Sequence, residues 1–167
     1  MRNVILLLLL FTTGLFGCQS KSAFDYSQRI VQMETELSSA IAIADERVGA
    51  FLDNNQTDSA ILLSQHMEEL ADNKLKEIQK LEAPDVEEGE NFKKAAVQYF
   101  VYLKAVYSSF KKFTMASNET EKENEREKLA RMVGQKEQVT KELQEAQQKF
   151  AKANNFRIEK VKGVSSL

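Results

Sequence analysis

Few residues in this chain of 167 have a type and spacing suited to chemistry, and the two best candidates are Cys18 and His66, each the sole residue of its kind. A single imidazole excludes metal sites that need two histidines. A di-iron helical bundle requires Glu-x-x-His pairs, but the residue three before His66 is Leu63. His66 also lies on the flank of the apolar stripe of its predicted helix, away from the position that a haem ligand would need. The sequence therefore predicts no metal or haem cofactor.

Catalysis by an activated nucleophile or an acid–base pair is also not indicated. The chain contains no Gly-x-Ser-x-Gly turn and no glycine-rich phosphate loop. The acidic pairs Glu68–Glu69 and Glu87–Glu88 are consecutive, so the two carboxylates of each pair point in different directions on a helix. We expect solvated surface at both pairs, and we expect that the protein is not an enzyme.

The N-terminal segment is typical of a secretory signal. Arg2 precedes an uninterrupted apolar run over Val4–Phe11, which is shorter than the ~20 residues that a membrane-spanning helix needs. Leu15 and Gly17 stand three and one residues before Cys18, a spacing that resembles the lipobox of bacterial lipoproteins. The resemblance implies a signal peptide over residues 1–17, cleaved after Gly17, and a diacylglycerol and an N-acyl chain on Cys18. The alternative is a buried thiol that follows an ordinary signal.

A lipidated Cys18 would anchor the protein to a membrane, because two or three acyl chains hold it firmly at ~0.8 kcal/mol per buried methylene. The resemblance implies sorting to the outer membrane, since Gln19 replaces the aspartate that favours retention at the inner one. No acidic run follows the cysteine, and the periplasmic and surface faces both stay open. Residues 18–23 are predicted to form a short polar tether.

Residues 24–153 are predicted to form an all-α, up-down-up-down four-helix bundle. Apolar residues recur at steps of three and four in four long segments, as in antiparallel bundles and coiled coils. The predicted helices are Phe24–Leu52, a second from Thr57 or Asp58 that Pro84 terminates, a third from Asn91 through Phe113, and a fourth opened by Asn118 or Thr120 that ends at Ala153. Residues 154–167 are expected to form a loosely packed tail.

The third helix is rich in both aromatic and basic residues. A central helix with a wide buried arc, whose lysines extend to solvent, is the favoured interpretation. Val97 and Val101 project roughly opposite the apolar stripe, and the lysines near them are Lys93, Lys94 and Lys104. A small apolar patch with a basic rim could bind a partner or an anionic membrane surface, so these five residues form a candidate partner surface.

A second resemblance covers the stretch from Leu81 to Phe113. Its pattern consists of Leu81, Pro84, Gly89, Phe92, Lys93, Ala95 and the Tyr99–Phe100 pair. It is similar to a bacterial lipoprotein family of unknown function, whose members have a lipobox and a four-helix ectodomain and are in some cases described as surface proteins. The resemblance implies the fold and the compartment, and it supplies no catalytic residue.

Charge and composition exclude some classes of function and favour others. The formal net charge of −2 is too balanced for a nucleic-acid binder that neutralises phosphates. We expect a membrane-anchored lipoprotein whose bundle acts as a binding or scaffolding module for an envelope protein partner. A periplasmic sensor or chaperone-like factor is the alternative. A small-ligand carrier is less favoured, because Leu, Ile, Phe and Ala fill a core well and no buried polar group is evident in the sequence.

Overall fold

The computed structural model of the protein describes residues 15–158, without the side chains of residues 15–20, 45 and 52. Its elements are four helices, α1 (Leu15–Asp53), α2 (Thr57–Lys80), α3 (Gly89–Met115) and α4 (Glu119–Ala153). Successive helices pack in antiparallel contacts, α1 on α2, α2 on α3 and α3 on α4. The predicted all-α four-helix bundle is confirmed.

Helix α1 begins earlier than the sequence indicated. The predicted polar tether at residues 18–23 is instead part of α1, and Ala23 is fully buried in the core. The physical reason is that Ala23 continues the apolar stripe one heptad before Ile30. Extending α1 to include residues 18–23 therefore gains helical hydrogen bonds and the packing of Ala23. The side chains of Leu15, Gly17 and Cys18 lie outside the described residues, as do residues 1–14 and 159–167 entirely.

The connections between helices follow local chemistry. Asn118, one of the two residues predicted to open the last helix, caps α4 through its side-chain oxygen, which accepts a hydrogen bond from the Glu121 backbone N–H at 2.9 Å. Between α2 and α3, a Cβ atom at Gly89 would lie 2.5 Å from the Pro84 carbonyl oxygen. This close approach of two backbone segments requires glycine at the start of α3.

An aromatic cluster fills the core at the end of the bundle that contains the start of α1. Phe150 stacks on Phe92 at a centroid separation of 5.2 Å and contacts Tyr26 edge-on at 6.0 Å. Phe156, beyond the end of α4, packs edge-on against both Phe150 and Phe24. The described start of the C-terminal tail is therefore held to the core, in contrast to the loose packing expected for it.

Ion pairs connect the first three helices on their outer surfaces. Arg29 and Glu36 of α1 pair with residues of α2, and Glu68 and Asp72 of α2 pair with lysines of α3. Interhelical pairs among the described side chains include Arg29–Glu77, Lys74–Glu36, Lys104–Asp72 and Lys111–Glu68. Each joins adjacent helices across a seam and thereby favours this neighbour order over others.

Helices α1 and α4 meet closely only near the aromatic cluster. Tyr26 contacts Phe150 there, and the Gln147 side-chain amide donates a hydrogen bond to the Ser27 hydroxyl at 3.2 Å. Towards the other end of the bundle the two helices separate. As a result, apolar residues at stripe spacing are only half-buried along these parts of the two helices, among them Val48 of α1 and Leu129, Met132 and Val139 of α4.

Candidate functional site: a cleft between helices α1 and α4

The separation of α1 from α4 leaves a cleft of about 1210 Å³ in the half of the bundle away from the aromatic cluster. Its lining extends over Glu34–Gly49 on α1, which at 1.5 Å per residue is about 22 Å. On α3 the lining extends over Tyr99–Phe110 and on α4 over Val133–Gln144, about 16 Å in each case. Buried residues such as Leu37, Met67 and Tyr107 continue the core into this half, but α1 and α4 do not pack against each other along it.

The floor and the walls of the cleft differ in character. Helix α3 supplies a largely aromatic and aliphatic floor, and Ser64 and Met67 of α2 complete it. Helix α1 supplies one wall with many small side chains, and α4 supplies the other with polar and charged ones. The floor residues of α3 are Tyr99, Tyr102, Leu103, Val106, Tyr107 and Phe110; the α1 wall includes Thr35, Ser38, Ser39, Ala42 and Ala44; the α4 wall includes Lys136, Glu137, Thr140, Lys141 and Gln144.

A carboxylate and two hydroxyl groups meet in the wall and floor of the cleft. The Tyr99 hydroxyl donates a long hydrogen bond of 3.5 Å to Oε1 of Glu34, and Ser38 lies beside the same hydroxyl. Burial raises the pKa of the Glu34 carboxyl above its usual range, and the hydrogen bond from Tyr99 opposes part of that rise. Burial and then the neighbouring Glu34 charge also raise the pKa of Tyr99. No ion pair found among the described side chains includes Glu34.

Tyr102 ties the floor of the cleft to its α4 wall. Its hydroxyl donates a hydrogen bond of 3.0 Å to the Met132 backbone carbonyl, and burial raises its pKa. The hydroxyl is thus held at one end of the cleft floor, where α3 and α4 remain in contact. This bond helps to keep α4 on α3 where α1 and α4 are apart.

Two glycines border the cleft without an internal packing reason. Gly49 lines it and Gly134 follows the lining residue Val133. Each lies inside a helix, where glycine costs roughly 0.5–1 kcal/mol relative to alanine. A Cβ atom built at either position would meet no other atom within 4 Å. Close approach of a neighbouring helix within the described part of this chain therefore does not account for them.

The candidate partner surface predicted on α3 is only partly available. Val101 is 46% exposed and Lys94 is exposed, but Val97 is half-buried and packs against the core. Lys93 is half-buried, and the Nζ atom of Lys104 pairs with Oδ1 of Asp72 at 2.5 Å. None of the five residues lines the cleft, and the ion pair of Lys104 points to α2.

The cleft residues were not singled out from the sequence. Glu34 follows the buried stripe residue Met33, and a glutamate at the edge of an apolar stripe is expected to be a solvated surface residue. The available signal was the high share of Ser and Ala over Ser38–Ala44, where only Ile41 and Ile43 are large, beside the aromatic third helix. That mismatch in side-chain size predicts incomplete filling between the two helices.

The side chains that line the cleft can bind a ligand through both apolar and polar contacts. Glu34 and the tyrosines offer hydrogen bonds beside an apolar floor, and the α4 wall adds exposed side chains of both charges. His66 is exposed on α2 and does not line the cleft. Chemistry of this kind suits an amphiphilic ligand or protein segment, in which an apolar face meets the floor and a polar group meets Glu34.

Among the described residues, no group of three or more His, Cys, Asp or Glu side chains is placed to hold a metal ion. Within residues 15–158, no helix has both the length and the hydropathy required to cross a membrane. Comparisons of this chain with models of known protein families, with curated proteins and with solved structures found no match.

Proposed function

We propose that the protein is a lipoprotein of the bacterial cell envelope, anchored through acyl chains on Cys18, and that its bundle is a non-catalytic binding module. The binding site is the cleft between α1 and α4. The observation that carries the proposal is the cleft itself, because a closed four-helix bundle would bury α1 against α4 along their whole length.

The position of the cleft along α1 agrees with an N-terminal anchor. Cys18 lies at the start of α1, and Glu34 and Gly49 lie about 24 Å and about 46 Å further along the helix axis. Acyl chains on Cys18 would place the aromatic cluster next to the bilayer and the cleft away from it. The bound species would then approach from the aqueous side, as expected for an envelope partner.

A small-ligand carrier is the second candidate, since polar groups converge on the cleft beside an apolar floor. Glu34, Ser38 and Tyr99 would orient the polar end of such a ligand. This candidate differs from partner binding in what occupies the cleft and not in where binding occurs.

The anchor is tested by replacing its proposed attachment site. We expect Cys18→Ala to move the protein from the membrane fraction to the soluble fraction, because the acyl chains supply the membrane affinity. Mass spectrometry of the wild-type membrane form should find residue 18 with added diacylglycerol and fatty acid. Retention of Cys18→Ala in the membrane fraction would refute the anchor.

The binding site is tested by a photo-crosslinking amino acid at Ala42 or at Ala50 in the cells that produce the protein. Both residues are exposed on α1, but only Ala42 lines the cleft. We expect a crosslinked product from position 42 and none from position 50. Equal crosslinking from the two positions, or none from position 42, would contradict binding in the cleft.

A further inference from the structure

The dimensions of the cleft distinguish between a small molecule and a protein segment. Pockets for small molecules typically enclose about 300–1,000 Å³ and bury most of the ligand, whereas this cleft has about 1210 Å³ and opens sideways between two helices. Its length of about 16–22 Å equals that of 11–15 residues in an α-helix. An elongated groove with a lateral opening fits a helix laid along it.

The α1 wall permits close approach of another backbone. Ser39 and Ala42 are small and exposed, and a Cβ atom at Gly49 would meet nothing within 4 Å. On the opposite wall, Val133 lines the cleft and is 69% exposed, which offers apolar contact at the rim. Glycine at position 49 costs helix stability in the free protein, and a helix seated in the cleft would use the space that this residue leaves.

Of the four charged residues that line the cleft, Glu34 is half-buried, whereas Lys136, Glu137 and Lys141 are exposed. We therefore take Glu34 as the charge that selects the polar group of the occupant. Glu34 is half-buried, receives one long hydrogen bond from Tyr99, and belongs to no ion pair found among the described side chains. A half-buried carboxylate is stabilised by a cation brought to within hydrogen-bonding distance. The Tyr99 hydroxyl lies beside it, and Tyr102 lines the same cleft.

We propose that the cleft binds an amphipathic α-helix of a partner protein, which lies between α1 and α4 and places a Lys or Arg side chain against Glu34. The apolar face of this helix covers Leu103, Val106 and Phe110 on the floor. The inference rests on the proposed function, since it names the occupant of the same cleft. The four-helix bundle becomes a five-helix assembly at the end where α1 and α4 are apart.

The probe is a display library of 15-residue helical peptides with apolar residues fixed at i, i+3, i+4 and i+7 spacing and random residues elsewhere. The library is selected on the full lipidated protein in vesicles of neutral phospholipid. We expect enriched peptides to carry Lys or Arg at one constant position beside the apolar stripe. Their affinity should fall about tenfold or more for Glu34→Gln, because a charge-assisted hydrogen bond at a half-buried site is lost.

A matched pair of variants locates the binding. Ala42→Trp fills the cleft and should abolish binding of the selected peptides, whereas Ala50→Trp lies on the same helix outside the cleft and should leave binding unchanged. The proposal would be overturned if no peptide is enriched or if the enriched peptides lack a constant basic residue. It would also be overturned if their affinity is the same for Glu34→Gln as for the wild type, or if they still bind Ala42→Trp.

Crosslinking from position 42 separates this proposal from the proposed function. A product that contains a peptide of another protein, with amphipathic helical spacing and a basic residue, supports both. A product with a lipid, a small molecule or a second copy of this chain overturns the partner helix and leaves the cleft as a binding site. The absence of any product from position 42 overturns the cleft and the helix together.

Discussion

Substitution of three glycines by alanine tests the open space beside α1 and α4. Gly49 and Gly134 lie inside helices, and an added Cβ atom would meet nothing within 4 Å at either position. Alanine is favoured over glycine in a helix interior by roughly 0.5–1 kcal/mol. We therefore expect Gly49→Ala and Gly134→Ala each to increase the free energy of unfolding by about that amount.

Gly89→Ala is the internal control, because its Cβ atom would lie 2.5 Å from the backbone oxygen of Pro84. A backbone atom cannot rotate away as a side chain can, so the α2–α3 connection has to shift. We expect a loss of about 1–3 kcal/mol, the usual cost of overpacking. The same glycine-to-alanine change is thus expected to raise the free energy of unfolding at positions 49 and 134 and to lower it at position 89.

The assay is urea unfolding followed by far-UV circular dichroism, with thermal melts in parallel. For a domain of this size, 1 kcal/mol corresponds to roughly 2–4 °C in melting temperature. Destabilisation by Gly49→Ala would mean that α1 packs against another element at this point. That result would refute the open cleft on which the binding-site argument depends.

Three further predictions concern single side chains. Burial raises the folded-state pKa of Glu34, so ionisation of this carboxyl opposes folding at any pH above its unfolded-state pKa. Glu34→Gln should therefore be more stable than the wild type at pH 7, and urea unfolding at several pH values should show that this difference vanishes below about pH 4. Asn118→Ala should lower the free energy of unfolding by about 1 kcal/mol in the same assay, since the Glu121 N–H loses its cap. Phe150→Ala should cost about 3–5 kcal/mol and lower the urea midpoint sharply, because Phe150 is fully buried among three other rings.

The helices could be predicted because their signals are local. Apolar spacing of three and four residues specifies each amphipathic helix, and Asn118 and Pro84 mark boundaries through their own backbone and side-chain chemistry. The start of α1 was placed too late, since residues 18–23 are mostly polar and Ala23 alone carries the stripe backwards. Its burial depends on neighbouring helices that the local sequence does not specify.

The cleft could not be predicted because it depends on how far two helices separate. Val48 and Val139 follow the same spacing as buried stripe residues, yet both are half-buried where α1 leaves α4. The position of Glu34 at the edge of a stripe is also ambiguous, because a side chain there can face either bulk solvent or a cleft. Distances between helices that are far apart in sequence determine which one occurs.

The binding claim is tested most directly by thiol accessibility on native membranes. Cys18 is the chain's single cysteine, so acylation there would leave Ala42→Cys or Ala50→Cys with the one free thiol. We predict that a membrane-impermeant maleimide labels Ala42→Cys more slowly on native membranes than in the purified lipidated protein, while Ala50→Cys reacts at the same rate in both. Equal labelling rates for Ala42→Cys in the two preparations would contradict an occupied cleft.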